Sequence, residues 1–487
     1  MNKTKIVATL GPASQDAETL TKMIKAGVNV VRLNFSHGNQ EDHIATALKV
    51  RTIAKQLGKY VGILVDLQGP KIRISGFESD SIYLNQGDTF YLDGKLAPNA
   101  GTQHSVGLDY PQLIQDLEPG NILLLDDGRV QLETLSVDKV TQKVETRALN
   151  GGKLSNRKGI NLLGGGLSAP ALTTKDKQDI ATAAVIDADF LAVSFPRNAD
   201  DLHDARAIAV RSGCNAQIVA KIERAEIVTD ADSMDKVIAA SDIIMVARGD
   251  LGVEIGDARL PSVQKMLISR AKHLGKPVIT ATQMMESMIE NPLPTRAEVM
   301  DVANAIIDGT DAIMLSGESA MGCYPVEAVE AMVRVAEGVE TESLCADACW
   351  QKIQQLCSDN SKSFAISSMI SAARSEQALG VAVYTESGET PLLMSRCQSQ
   401  AVIWALSNDE KLLARMSILR GVEAIYLNTT HSSSDDTSII VPLLSRELEK
   451  RNISSLLISR FESVENVGDI NISQLIQIKP STCITAC

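Results

Sequence analysis

The chain has 487 residues, of which 44% are hydrophobic, 22% charged and 3% aromatic, and it carries a net charge of −13. That length exceeds a single core and predicts two or three domains with aliphatic interiors. The negative balance argues against general nucleic-acid or anionic-membrane binding, because phosphate surfaces repel it, so an anionic ligand must meet a locally basic pocket.

The opening MNKTKIVATLGPAS turns at Gly11-Pro12 after a short apolar run, unlike a signal peptide, and no run approaches the roughly 18 apolar residues of a membrane span. A cytoplasmic location is expected. Eight aliphatic or β-branched runs then follow: 5–11, 29–36, 61–68, 190–195, 218–223, 243–250, 277–283 and 312–319. Helical patterns such as AETLTKMIKAG and TRAEVMDVANAIIDG come after most of them, each ending in a stop glycine. Apart from one gap, strand starts recur every 24 to 35 residues. That is the period of a βα unit, and eight units close into a (β/α)8 TIM barrel of the α/β class.

The gap, 69–168, has a different texture. SIYLNQGDTFYLD, NILLLDDGRVQLETLSVD and KVETRALNGG alternate apolar and polar residues around Gly and Asp-Gly turns, which predicts a small all-β domain inserted as a lid. After about Thr341 strands and helices alternate again (SKSFAISSMISAARSE, ALGVAVYTESGET, AVIWALSN, VEAIYLN, SSLLISRF), too few to close. The expected organisation is a catalytic barrel at 1–68 and 169–345, an inserted β-barrel-like lid at 69–168, and a C-terminal open α/β domain at 346–487 for regulation or oligomer contacts. The eight cysteines lack paired CxxC spacing and are expected to be reduced; Cys345 and Cys349 could share a helix face, but ordinary reduced thiols are expected there rather than a metal site.

In a barrel of this kind catalytic groups sit where strands end. Strand two supplies Arg32, Asn34 and Ser36; strand three, Asp66; strand five, Lys221 and Glu223; strand six, Arg248, Gly249 and Asp250; strand seven, Thr282. Lys221 and Glu223 are two apart, so a strand projects a cation and a carboxylate from one face. A structural ion pair is the plain alternative, but desolvation makes such pairs poor stabilisers. Glu223 and Asp250 lie on adjacent strands, and two carboxylates that close call for a cation; an all-oxygen pair suits Mg²⁺ or Mn²⁺ better than zinc. A lysine beside a divalent cation and ringed by arginines is what a transferring phosphoryl group requires. Other signals are weaker. GGGLSA at 164–169 does not follow a strand and is expected to be a flexible return from the lid, and the RGD at 248–250 is coincidence.

These residues fall within longer motifs. TKIVATLGPAS, AGVNVVRLNFSHG, DLQGPKIR, NRKGINLLGGGLSAP, LAVSFPR, VAKIERAE, MVARGDLGVEI and the run from TATQMMESM to AIMLSGES together resemble pyruvate kinase, of the bacterial type without an N-terminal extension. The resemblance implies phosphoryl transfer from phosphoenolpyruvate to ADP, giving pyruvate and ATP, with Mg²⁺ or Mn²⁺. It implies that Lys221 stabilises the phosphoryl in flight, that Glu223 and Asp250 hold the metal, and that Arg32 binds the phosphate. Arg248, Gly249, Asp250 and Thr282 would line the substrate, with Thr282 on the face where the enolate is protonated. Asn34, Phe35, Ser36, His37, Arg73 and Lys158 would contact the nucleotide. A homotetramer and a phosphorylated allosteric effector also follow from the family.

Two positions depart from the family pattern. Its monovalent site matches Asn34, Ser36, Asp66 and the carbonyl of Leu67, but members that need K⁺ usually carry Glu where this chain has Lys71. An ammonium there supplies the charge otherwise brought by K⁺, so potassium is not expected to be required. The effector loop matches Thr385, Ser387, Gly388 and Thr390, yet Glu389 sits where a basic residue is usual and repels a phosphate. Gly468 is kept, but the Ser-Thr-Asn run around it is not. The rival functions are a metal-dependent 2-oxo acid lyase or aldolase and an inactive metabolite sensor; the lid and Lys221 weigh against the first, and the intact set Lys221, Glu223, Asp250 and Thr282 against the second.

Overall fold

Each of the eight aliphatic runs becomes a strand in the computed structural model, which describes residues 3–341, 369, 379–399, 401–428, 436–464 and 468–478. The strands are β1 (Lys5–Thr9), β2 (Val30–Asn34), β3 (Gly62–Asp66), β4 (Phe190–Val193), β5 (Gln217–Ile222), β6 (Ile243–Ala247), β7 (Val278–Ala281) and β8 (Ala312–Leu315). They close in sequence order into a barrel, with β8 returning to β1. The expected fold class is therefore met. Strands covered on both faces must be apolar throughout, and six of the eight are buried at every position; only β2, at Arg32 and Asn34, and β5, at Gln217 and Lys221, admit partly exposed polar residues. The exceptions fall on two of the strands that carry candidate chemistry.

The chain divides by packing into two compact units, Met1–Leu33 with Ala45–Leu64 and Met284–Cys487, and Asn34–Ile44 with Val65–Gln283. In the first, β1 pairs with β8 from Lys5 against Ala312, and with β2 from Val7 against Val30. The same unit contains a five-stranded sheet of β9 (Leu379–Tyr384), β10 (Val402–Ser407), β11 (Val422–Tyr426), β12 (Ser455–Val464) and β13 (Gly468–Gln477), ordered β11-β10-β9-β12-β13. The first four are parallel, as the alternating pattern predicts, and β13 pairs with β12 antiparallel. That last strand escapes sequence reading because SVENVGDINIS carries too few aliphatics in a row. Trp404 of β10 is fully buried, and Gly380 of the neighbouring β9 must be a glycine: a Cβ would fall 2.2 Å from the indole ring. Of the predicted helix over SKSFAISSMISAARSE only Met369 is among the described residues, where it is helical and buried, and the pair Cys345 and Cys349 lies outside them.

In the second unit the segment between β3 and β4 folds into β-sheet, in line with its hairpin chemistry. A six-stranded sheet runs in the order Ile160–Leu162, Ile122–Leu125, Val130–Asp138, Lys143–Ala148, Thr89–Asp93, Ser105–Gly107, with a separate pair of Ser81–Leu84 and Gly152–Ser155. Phe90, Leu92, Leu123, Leu125, Val130 and Leu132 alternate inward to make its core. The Asp126-Asp127-Gly128 turn takes φ of 50°, 56° and 84°, the left-handed pair and glycine of a tight hairpin. Within GGGLSA, Gly164, Gly165 and Gly166 all have positive φ, and their amides donate in turn to Glu254 O, Leu162 O and Glu226 Oε1.

Candidate active site

The end of β5 gathers charge as the strand periodicity requires. Lys221 Nζ lies 2.9 Å from Glu223 Oε1, 3.3 Å from Asp66 Oδ1 and 2.8 Å from Ser194 Oγ. The Glu223 and Asp66 side chains are almost wholly buried and Lys221 is close to it. The ammonium's three protons thus have three oxygens to point at. Glu223 Oε2 accepts from the Phe195 amide at 2.8 Å, and Phe195 holds φ of 52°, costly for a bulky side chain. Burial pushes the Glu223 carboxyl above its usual range; Lys221 opposes the shift, and the charges of Asp250 and Asp66 add to it. Three carboxylates, Asp66, Glu223 and Asp250, therefore face two ammoniums, Lys221 and Lys71. Glu223 and Asp250 offer oxygen ligands of the kind a hard cation takes, although among the described residues no group of three His, Cys, Asp or Glu side chains converges as a complete metal site. Ser194 closes β4 and is the position that sequence reading passed over; the strand-end rule applied to SFPR selects it.

Asp250 stands in the first turn of the helix Arg248–Ile255, where the macrodipole favours an anion, and Lys71 Nζ meets its Oδ1 at 3.1 Å. The Gly249 amide donates to Thr282 Oγ1 at 2.8 Å, and that hydroxyl donates in turn to Ala281 O at 2.6 Å. Arg248 is buried, and its guanidinium meets backbone carbonyls at the edge of the site. Its Nε reaches Ala281 O and Thr282 O, and its Nη2 reaches Thr282 O at 2.6 Å and Gln283 O at 3.0 Å. Thr282 and Gln283 have φ of 67° and 55°, a left-handed turn that a β-branched residue resists. The guanidinium therefore holds the turn that aims Thr282.

The other candidates are distributed as follows. Arg32, in the first unit, donates from Nη1 to Thr9 Oγ1 at 3.0 Å. Asn34 Oδ1 accepts from the Ser36 amide at 3.2 Å, while Leu67 O is taken by Ser194 Oγ at 2.7 Å. Phe35 is buried, stacked on His43 with ring centroids 4.1 Å apart, and its carbonyl accepts from Lys175; Ser36 and His37 are exposed beside it. On the lid, Arg73 donates to Arg157 O and Lys158 pairs with Asp126 at 2.8 Å. A cavity of about 720 Å³ is lined by Lys71, Asp127, Arg129, Arg248, Asp250 and Gln283 among others, so the Asp-Gly turn of the lid and the Asp250 helix share one hollow. Its lining includes neither Arg73 nor Lys158. Arg129, adjacent to a turn signal, went unselected in the sequence. In the C-terminal sheet, Thr385 Oγ1 accepts from the Gly388 amide at 2.8 Å, Ser387 Oγ from Glu389 N at 3.3 Å, and Gly388 takes φ of 82°. The loop is preformed, with Thr390 in the helix that follows.

The family model described as pyruvate kinase, barrel domain, matches residues 1–329, and that described as pyruvate kinase, alpha/beta domain, matches 364–455. The chain is 56% identical to a pyruvate kinase of Haemophilus influenzae over 88% of each chain. It is 49% identical to pyruvate kinase II of Salmonella typhimurium over 98% of this chain and 99% of the relative. A pyruvate kinase of Buchnera aphidicola (subsp. Schizaphis graminum) is 47% identical over the same shares.

Proposed function

Since the chain belongs to the pyruvate kinase family, a family of phosphotransferases, we propose that it moves the phosphoryl group of phosphoenolpyruvate to ADP, yielding pyruvate and ATP. The observation that carries this reading is the Lys221 ammonium, held between Asp66, Glu223 and Ser194 at the end of β5. A phosphoryl group in transit spreads charge over its equatorial oxygens, and a fixed ammonium neutralises that charge without reorganising. Glu223 and Asp250 would hold Mg²⁺ or Mn²⁺, whose positive charge would draw phosphate and substrate oxygens together when bound. Gly249 N and Arg248 fix Thr282, so its hydroxyl stands ready to order the water that protonates the enolate; collapse to the keto form then makes the transfer favourable. Arg32 would take the phosphate. Ser36, His37, Arg73 and Lys158 would meet the nucleotide, and Arg129 joins them as a cation on the cavity wall.

The direct test is coupled pyruvate formation from phosphoenolpyruvate and ADP. Turnover should require Mg²⁺ or Mn²⁺ and vanish on chelation; a folded, metal-loaded sample that forms no pyruvate would overturn the reading. Lys71, 3.1 Å from Asp250, brings a fixed positive charge to the site, and the enzyme should therefore work without potassium. Exchanging K⁺ for tetramethylammonium at constant ionic strength should leave turnover within about twofold, while Lys71→Glu should create a potassium requirement. Homotetramer assembly, a cytoplasmic place in glycolysis and a phosphorylated effector at Thr385–Thr390 complete the proposal; Glu389 beside that loop points to an effector other than one gripped by a basic residue there. Among the described residues no helix is long and apolar enough to cross a membrane.

A further inference from the structure

The lid re-enters the barrel through Asn161–Ser168, and two carboxylates grip that return. Glu226 Oε1 accepts from the Gly166 amide at 2.6 Å. Gly165 leaves room for the same carboxylate, since a Cβ there would lie 2.5 Å from Glu226 Oε2. Glu254 holds the neighbouring residues: its carbonyl accepts from Gly164 N at 2.9 Å and its Oε1 from Asn161 Nδ2 at 3.4 Å. Its Oε2 accepts from Ala225 N at 2.8 Å, which ties the helix after β6 to the turn after β5. Arg224 Nη2 adds a bond to Leu167 O at 3.1 Å.

The spacing carries the argument. Glu226 follows Glu223 by three residues within one tight turn, and Glu254 follows Asp250 by four on one face of a helix, one turn further along. Each proposed metal carboxylate is thus rigidly followed by a carboxylate that holds the lid return. Gly164, Gly165 and Gly166 are the compliant part, three left-handed positions open to large changes in backbone angle. Buried carboxylates are costly to keep unless they work, and Glu226 Oε2 is buried with no hydrogen-bond partner. A carboxylate oxygen left unmatched against three glycines is a contact poised to be exchanged as the turn moves.

We propose that Glu226 and Glu254 are positioning residues that couple occupancy of the Glu223–Asp250 site to the lid, by setting the conformation of the Gly164–Gly166 turn. This rests on the phosphotransfer reading above. Because Asp127 and Arg129 of the lid line the cavity beside Asp250, the coupling should reach nucleotide binding more than phosphoenolpyruvate binding.

The test combines kinetics with hydrogen exchange on the full-length protein. Glu226→Ala should raise the KM for ADP about tenfold while the KM for phosphoenolpyruvate stays within about twofold, and Glu226→Gln, which keeps the acceptor, should restore the wild-type value. Gly165→Ala, whose methyl displaces the carboxylate, should reproduce the defect, and the double variant should be no worse than either single one. Exchange of amides in 160–168 should slow when Mn²⁺ and ADP are added to the wild type and should fail to slow in Glu226→Ala. Equal losses for both substrates, additive variants, or slowing retained in Glu226→Ala would overturn the coupling. A wild-type sample that binds Mn²⁺ but forms no pyruvate would instead sink the phosphotransfer reading, so the two failures are distinguishable.

Discussion

At the residue scale the site is governed by how charge is held out of water. The Lys221 ammonium contacts both Asp66 and Glu223, so Lys221→Met removes the fixed cation at the transfer point from beside two buried carboxylates. Turnover should fall by about a thousandfold or more, while Mn²⁺ binding, read by its electron paramagnetic resonance, should persist or tighten. Turnover near the wild-type level would sink the electrostatic account. Glu254 makes a second prediction. Burial raises its carboxyl from 4.5 to about 7. Between those values the folded chain keeps a proton that the unfolded chain has lost, so this residue's contribution makes stability fall as pH rises through that window and level off above it. The total change across that window amounts to about 3 kcal/mol at most. Glu254→Gln should flatten it, which urea midpoints at pH 5, 6, 7 and 8 will report.

At the scale of elements, the barrel strands were legible because a sheet covered on both faces needs unbroken aliphatic runs, and runs such as VGILVD and IIMVA have few other uses. The lid was legible through its turns: Asp-Gly and Gln-Gly pairs mark hairpins whatever packs behind them. Strand β13 was not, since GDINISQLIQ owes its place to pairing with β12 rather than to its own pattern. The site shows the same split. Lys221, Glu223 and Asp250 follow from strand ends and spacing, whereas the work of Arg248 does not, because its partners are backbone carbonyls that no side-chain pattern records. Arg248→Met should let the Thr282–Gln283 turn relax. About tenfold should be lost from kcat with little change in either KM, together with roughly 2–4 kcal/mol of stability as three carbonyls lose their donor. A variant with full kcat would show that the turn needs no clamp.

At the scale of the whole molecule, the first unit is held by polar bonds between residues far apart in sequence. Arg396, in the helix after the Thr385–Thr390 loop, makes a fully buried pair with Asp311 just ahead of β8, and Arg420 reaches Thr4 Oγ1, Thr310 O and Glu340. Arg396→Met leaves a buried carboxylate without its main counter-charge and should cost about 3–5 kcal/mol. That loss should appear as a lower melting temperature with the KM values unchanged, and Arg396→Met with Asp311→Leu should recover part of it. The amides of Lys3 and Thr4 bond to Glu340, and Lys5 Nζ bonds to Val422 O at 2.6 Å. β1 itself waits for a partner from far downstream, Lys5 pairing with Ala312, 307 positions later by subtraction. On a ribosome adding about 5–20 residues per second, that edge stays uncovered for roughly 15–60 s after it emerges. A chaperone that shields nascent aliphatic segments should therefore matter more to the yield of this protein in cells than its equilibrium stability would indicate.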